Sequence, residues 1–412
     1  MSASIDREAC AERDARDPLA AVRQRFVLPD GLVYLDGNSL GAMPVATARA
    51  VATAVEQQWG DGLIRSWTDG GWIDAPLRVG AKIARLVGAE DNEVVVAEST
   101  SICLFKLVCA ALAMQPGRSV VVTEQENFHT DLYVAASAAA LNGATLRVVP
   151  RARMLDSLGD DVALTLITHV DYRTGFMHDM RAVSDAVHEA GALAVWDLSH
   201  SVGAVPLRID DDGADMATGC GYKYLNGGPG APAFLHVRSR LHDRLRNPVP
   251  GWLGHAEPFA FEPAYRPARG IASMLSGTPP TLELTALEAG VDLWLEQDMA
   301  AARRKSTALT ELFITLVEQR CARMGFELVS PRDPERRGSQ ASFRHSNGYG
   351  VIRGLIERGV IGDFRAPDIC RFGFAPLYIR YVDVWDAVER LRDVIDTGAH
   401  LDERFAERAA VT

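Results

Sequence analysis

The sequence predicts an α/β protein: a central, mainly parallel sheet flanked by helices, joined to a smaller α+β domain. Three observations predict it. Through the middle of the chain, short all-apolar runs alternate with helix-length segments. From Leu282 to about Met324, apolar residues recur at spacings of three and four, as at Leu284, Leu287, Val291 and Trp294. The last hundred or so residues mix short strand-like and helical stretches, as at Phe326–Val329 and Val384–Ile395.

Taken in order, Leu32–Leu35 reads as a strand and Glu93–Ala97 as a buried one. Ile102–Met114 is apolar nearly all round, which predicts a buried helix. Ser119–Thr123 is a β-branched run, and the alanine-rich Leu132–Leu141 is helical. Leu164–Thr168 is a further strand. Met180–Ala190 is a helix with Asp179 as its N-cap and Gly191 as its stop. Leu193–Trp196 and Ala233–Val237 complete the strands. The expected organisation is residues 1–49 joining a small domain, 50–290 forming the large α/β domain, and 291–412 forming the small α+β domain.

Composition narrows the class. The 412 residues are 48% apolar and 24% charged, ordinary for a globular chain. A net charge of −11 argues against a nucleic-acid partner. The N-terminus lacks the basic start and apolar stretch of a signal peptide, and no apolar run reaches membrane-spanning length. The six cysteines form no CxxC pair and read as reduced thiols, so the expectation is a cytoplasmic protein without disulfides.

One stretch stands apart: Gly221-Tyr222-Lys223-Tyr224-Leu225-Asn226-Gly227-Gly228-Pro229-Gly230. A lone lysine among small and aromatic residues is poorly solvated, which disfavours its charged form. A neutral amine attacks carbonyls to form imines. Asp197, at the end of the apolar run Ala192–Trp196, would be costly there without a cationic partner. A protonated pyridine nitrogen is one such partner, and a hydrogen bond to a charged group is worth roughly 1.5–3 kcal/mol. A structural ion pair with an arginine is another. A lysine that forms a Schiff base and an aspartate at a strand end are what a pyridoxal phosphate site needs.

Other residues join this set. Glu98-Ser99-Thr100-Ser101 precede a helix, where hydroxyls and free N–H groups attract an anion such as phosphate; an ordinary N-cap has the same signature. In Glu126-Asn127-Phe128-His129-Thr130-Asp131, Phe128 can cover a flat ring or fill the core, and Asp131 can face the site or cap the next helix. His200 beside Asp197 reads as a satisfied histidine, and the ten histidines show no metal-ligand spacing. Arg371, in an apolar, turn-rich stretch, suits a carboxylate, either a substrate's or an internal one. Gly37-Asn38-Ser39-Leu40-Gly41 matches the G-x-S-x-G elbow of serine hydrolases, but Pro44 precedes the helix and too few strands come before it.

Together these segments resemble kynureninase, a fold type I pyridoxal phosphate enzyme of the class V aminotransferase-like group. The matching pieces are Gly37–Gly41, Glu98–Ser101, Phe128–Asp131, Thr168–Gly175, Asp197–Gly203, Tyr222–Gly230, Gly251–Trp252, Ser276–Pro279 and Arg371–Tyr378, and they cover nearly the whole chain in order. His129 stands where proline is usual, and Asp171 where asparagine is common. The resemblance implies a transferase-like fold and Lys223 as the cofactor lysine. Asp197, with Asp131, would keep the ring nitrogen protonated. Thr100 and Ser101 would hold the phosphate, Phe128, His129 and Thr130 the ring, and Thr168 and His200 its polar edge. Tyr222 would contact the phosphate and pass a proton to the product carbon. Trp252 and Thr278 would reach the partner's cofactor in a homodimer. Arg371 would bind the substrate carboxylate, with Ser39 and Trp67 near its aryl end. The implied reaction is hydrolysis of L-kynurenine, and less well of its 3-hydroxy form, to anthranilate and L-alanine in tryptophan degradation. Rivals are a cysteine desulfurase or an aminotransferase of the same fold, a serine hydrolase using Ser39, and a silent binding protein.

Overall fold

The computed structural model describes residues 5–405, 407 and 408. The chain forms two compact units. One comprises Met1–Val45, Tyr172–Met177 and Gln297–Thr412; the other comprises Ala46–Asp171 and His178–Glu296.

The larger unit is built on a seven-stranded sheet. Its strands are β1 (Val94–Ala97), β2 (Val120–Glu124), β3 (Thr145–Val149), β4 (Val162–Thr168), β5 (Leu193–Asp197), β6 (Met216–Cys220) and β7 (Ala233–Val237). They lie in the order β1-β7-β6-β5-β4-β2-β3. Only β7 runs against the rest. Six of the strands are buried along their whole length, as their apolar runs require; β3, at the sheet edge, is half-exposed. The same unit carries helices α1 (Ala75–Val87), α2 (Thr100–Met114), α3 (His129–Leu141), α4 (Met180–Glu189) and α5 (Thr281–Leu295), among others. Asp179 caps α4, its carboxylate accepting from the Ala182 N–H at 3.0 Å, and Gly191 follows at φ +73°. The expected run Leu282–Met324 is two helices, because Asp298 caps a new one, Met299–Arg320.

The register brings chemistry to one end of the sheet. Thr168 and Asp197 are the last residues of adjacent parallel strands and sit opposite one another, and Asp197 in turn faces Thr218 of β6. The carboxyl ends of parallel strands are where ligands bind in such sheets.

The smaller unit holds an antiparallel sheet in the order Asp363–Arg365, Ile369–Gly373, Gln340–Arg344, Glu327–Leu328. Val33–Tyr34 pairs in parallel with Val360–Ile361, which ties the N-terminal segment to this unit. Phe313 of the long helix anchors the core, with ring centroids 4.8 Å from Phe372 and 5.3 Å from Phe374. Among the described residues, no helix is long and apolar enough to cross a membrane.

Candidate active site

Lys223 sits in a tight turn between β6 and β7. The Lys223 carbonyl accepts from the Asn226 N–H at 2.9 Å, and the Gly221 carbonyl from the Gly227 N–H at 2.9 Å. Asn226 adopts φ +57°, and Gly228 and Gly230 follow at +85° and +77°, so the glycines supply conformations other residues resist. From α5, the Trp294 indole donates to the Tyr224 carbonyl at 2.6 Å and pins the turn from below. A Cβ on Gly221 would stand 2.5 Å from the Pro232 carbonyl oxygen, so the residue two before the lysine has no room for a side chain.

Lys223 is half-buried. Its Nζ lies 2.9 Å from His200 Nε2 and 5.7 Å from the centre of the Tyr222 ring. Asp197 is buried, and its Oδ1 accepts from the Ser199 N–H at 2.8 Å and the Ser199 hydroxyl at 2.6 Å. Asp131, also buried, has Oδ2 3.3 Å from the Thr168 hydroxyl. Burial raises both carboxyls above the ordinary range. The charge of Asp197 raises Asp131 further, while Lys223 pulls both the other way. Burial also pushes the Tyr222 phenol up, with Cys220 and Asp197 adding to it, so it stays protonated.

Two residues beside the expected ones do structural work in this site. Asn127 accepts from the Thr168 hydroxyl and, at 2.8 Å, from the Phe128 N–H, and donates to the Leu166 carbonyl at 3.2 Å. Ser199 orients Asp197. Both lie inside the motifs, and their neighbours' more obvious chemistry masked them. Phe128 and His129 open α3 with ring centroids 4.3 Å apart, and Thr130 follows in its first turn. Asp171 accepts from Arg151 Nη2 at 2.6 Å, and Arg151 Nε donates to Glu124 at 3.0 Å, so an aspartate at this position is matched by a nearby guanidinium.

Ser99 is the N-cap of α2, and Thr100 and Ser101 are its first two residues. A cavity of about 340 Å³ lies at this helix start, lined by Glu98, Ser99, Thr100, Tyr222, Gly230 and Pro280 among others. Trp67 and Trp252 pack edge to face at 5.8 Å, and Thr278 is exposed.

In the smaller unit, Arg371 is buried in the strand Ile369–Gly373. Its Nε donates to Asp363 Oδ1 at 2.7 Å, Nη1 to the Tyr172 carbonyl at 2.6 Å, and Nη2 to the Ser39 hydroxyl at 2.7 Å. The register places Asp363 directly opposite Arg371 on the next strand. Burial resists ionisation of Asp363, but the Arg371 charge and hydrogen bonds hold its carboxyl below the ordinary value. Ser39 also donates to Asp363 Oδ2 at 2.9 Å, but the Arg371 charge lowers the basicity of that carboxylate and makes it a poor general base for a hydrolase nucleophile. Its turn, Asp36–Leu40, is followed by a helix only at Val45, so the G-x-S-x-G match is no elbow.

The donor set in the larger unit suits pyridoxal phosphate: a primary amine, two buried carboxyls that a cation would relieve, and a helix N-terminus beside a cavity. Solved structures share the fold. A cysteine desulfurase from Thermococcus onnurineus superposes with TM-score 0.76 at 17% identity, covering 92% of this chain and 98% of that one. C-DES, in a variant with glycine covalently linked to its PLP cofactor, superposes with TM-score 0.78 at 16% identity, over 90% and 99%. The fold and the site define a pyridoxal-phosphate-dependent enzyme of fold type I. The profile of the kynureninase C-terminal domain matches residues 302–391. The kynureninase of Pseudomonas fluorescens is 51% identical over 413 residues, 98% of this chain and 99% of that protein. The chain belongs to the kynureninase family.

Proposed function

We propose that this chain hydrolyses L-kynurenine, and less readily 3-hydroxy-L-kynurenine, to anthranilate and L-alanine, with pyridoxal 5′-phosphate held on Lys223. One observation carries the reading: Lys223 Nζ lies 2.9 Å from His200 beside two buried carboxyls, in a chain 51% identical to a kynureninase over 98% of its length. The cofactor, when bound, supplies an electron sink for cleavage of the Cβ–Cγ bond.

The chain's own residues do the rest. Asp197, with Asp131 beside it, would keep a proton on the ring nitrogen. The N–H groups and hydroxyls of Thr100 and Ser101 would hold the phosphate. Phe128 would cover the ring, with His129 and Thr130 as further cofactor contacts, and Thr168 and His200 would line its polar edge. Lys223 takes the substrate's α-proton. Tyr222, kept neutral by burial, delivers a proton to Cβ of the departing alanine. Arg371 receives the α-carboxylate, and Ser39 and Trp67 contact the aryl end.

We also assign a homodimer in which Trp252 and Thr278 reach the partner's cofactor. Exposed Trp59, Leu63, Ile64, Phe259 and Phe261 in the larger unit favour a covered face, Ile64 being 76% exposed. All six cysteines are free and buried, which suits a reducing cytoplasm and leaves a desulfurase no accessible thiol nucleophile.

The test is direct. The purified protein should be yellow, borohydride should fix the cofactor to the Lys223 peptide, and L-kynurenine should yield anthranilate fluorescence. Lys223→Ala loses both signals, while Ser39→Ala only weakens turnover. A colourless active protein removes the cofactor assignment; a yellow protein that forms no anthranilate removes the substrate.

A further inference from the structure

Lys106 is the one charge inside the otherwise apolar helix α2. Its side chain has no exposed surface, and its ammonium lies 2.8 Å from Glu98 Oε1, 2.8 Å from Glu98 Oε2 and 2.8 Å from the Met274 carbonyl. Those three acceptors use its three N–H donors. It therefore has no N–H left to offer a ligand. Glu98, by contrast, lines the cavity at the start of α2 together with Ser99, Thr100 and Tyr222. A carboxylate at the rim of an anion site has the wrong sign for it. The Met274 carbonyl belongs to the segment that runs on to Thr278, so the same ammonium ties the helix, the end of β1 and that segment together.

We propose that Lys106 is a positioning residue for the cofactor phosphate. From behind the cavity it cancels the charge of Glu98 and fixes the Met274 segment, so the N–H groups of α2 set the potential that the phosphate meets. The inference rests on the reading that this cavity takes the phosphate of pyridoxal phosphate.

Cofactor affinity of the apoenzyme tests it, followed by tryptophan fluorescence and by the absorbance of the bound cofactor, with inorganic phosphate as a competing probe. Lys106→Met leaves Glu98 uncompensated beside a phosphate and weakens pyridoxal phosphate binding about tenfold or more, the scale of one unscreened like charge near a protein surface. Glu98→Gln/Lys106→Met recovers most of the loss. Glu98→Gln alone keeps the lysine's charge and tightens binding of both probes, an arm that stands even if Lys106→Met fails to fold. If wild-type apoenzyme takes up no cofactor, the cofactor assignment itself falls. If wild type binds and Lys106→Met binds equally well, or the double variant stays as weak as Lys106→Met, or Glu98→Gln weakens binding, the role given to Lys106 is wrong.

Discussion

Neutralising Asp363 probes how the arginine that we assign to the substrate carboxylate is held. Asp363 sits opposite Arg371 on the neighbouring strand, takes its Nε at 2.7 Å, and also takes Arg365 Nη2 at 2.6 Å. One carboxylate thus screens two guanidiniums, and the Arg371 side chain is only 1% exposed. Asp363→Asn preserves the shape and removes the charge. Breaking a buried pair this way costs about 3–5 kcal/mol. The two arginines, left facing each other, push the cost upward; Arg365 is already depressed by burial and by the Arg371 charge. Asp36 works in the other direction. Its carboxyl is pushed up to about 7 by burial and by the charge of Asp363, against the pull of Arg371. With Asp363 neutral, Asp36 ionises more readily and takes over part of the screening. The expected net loss in urea unfolding at neutral pH is therefore about 3 kcal/mol, the lower end of that range. The pH dependence has a definite sign. A carboxyl raised in the folded state holds a proton the unfolded chain releases, so its contribution is full below about pH 4 and is lost as pH rises through about 7. Wild-type stability falls across that window on account of Asp36, and Asp363→Asn flattens the slope. A loss below about 1 kcal/mol, the scale of an exposed pair, with the slope unchanged would refute the reasoning.

Two further outcomes follow from the lysine turn. Tyr222→Phe keeps the ring against Lys223 but removes the phenol, so cofactor absorbance should stay near wild type while kcat falls about a hundredfold, within the usual range for losing a general acid; single-turnover kinetics with unchanged kcat would clear Tyr222 of proton transfer. Gly221→Ala drives a Cβ to within 2.5 Å of the Pro232 carbonyl oxygen, and should cost about 1–3 kcal/mol and lower cofactor occupancy; a fully occupied variant of wild-type stability would show that the turn can shift without penalty.

What could be read from sequence was what is local. Lys223 and Asp197 stand out because a charged group in an apolar run demands a reason, and that demand is visible in ten residues. The strands β1, β2, β4, β5 and β7 announce themselves as apolar runs. Two strands do not. β6 is Met-Ala-Thr-Gly-Cys, whose small residues have little strand preference and are strand only because neighbours on both sides hydrogen-bond to them. β3 is a half-exposed edge strand with an arginine in it, so no buried run marks it. Asp363 is eight residues from Arg371, and only the register of two strands makes it a partner. The cation of Lys106 is overlooked for the opposite reason: among so many apolar neighbours a single lysine reads as a tolerated exception, and its three acceptors come from segments as far apart as Glu98 and Met274. Tyr172–Met177 carries the chain out of one compact unit and into the other, and only long-range packing reveals it.

The burial of all six cysteines has a practical consequence for spectroscopy. Buried thiols are slow to meet maleimides or disulfide reagents. A single cysteine placed on the surface, for example Tyr133→Cys on α3, where the native side chain is 67% exposed, would become the one readily labelled position. The wild-type sequence thus provides its own quiet background for a fluorophore or spin label, without the core substitutions that a cysteine-free variant would require.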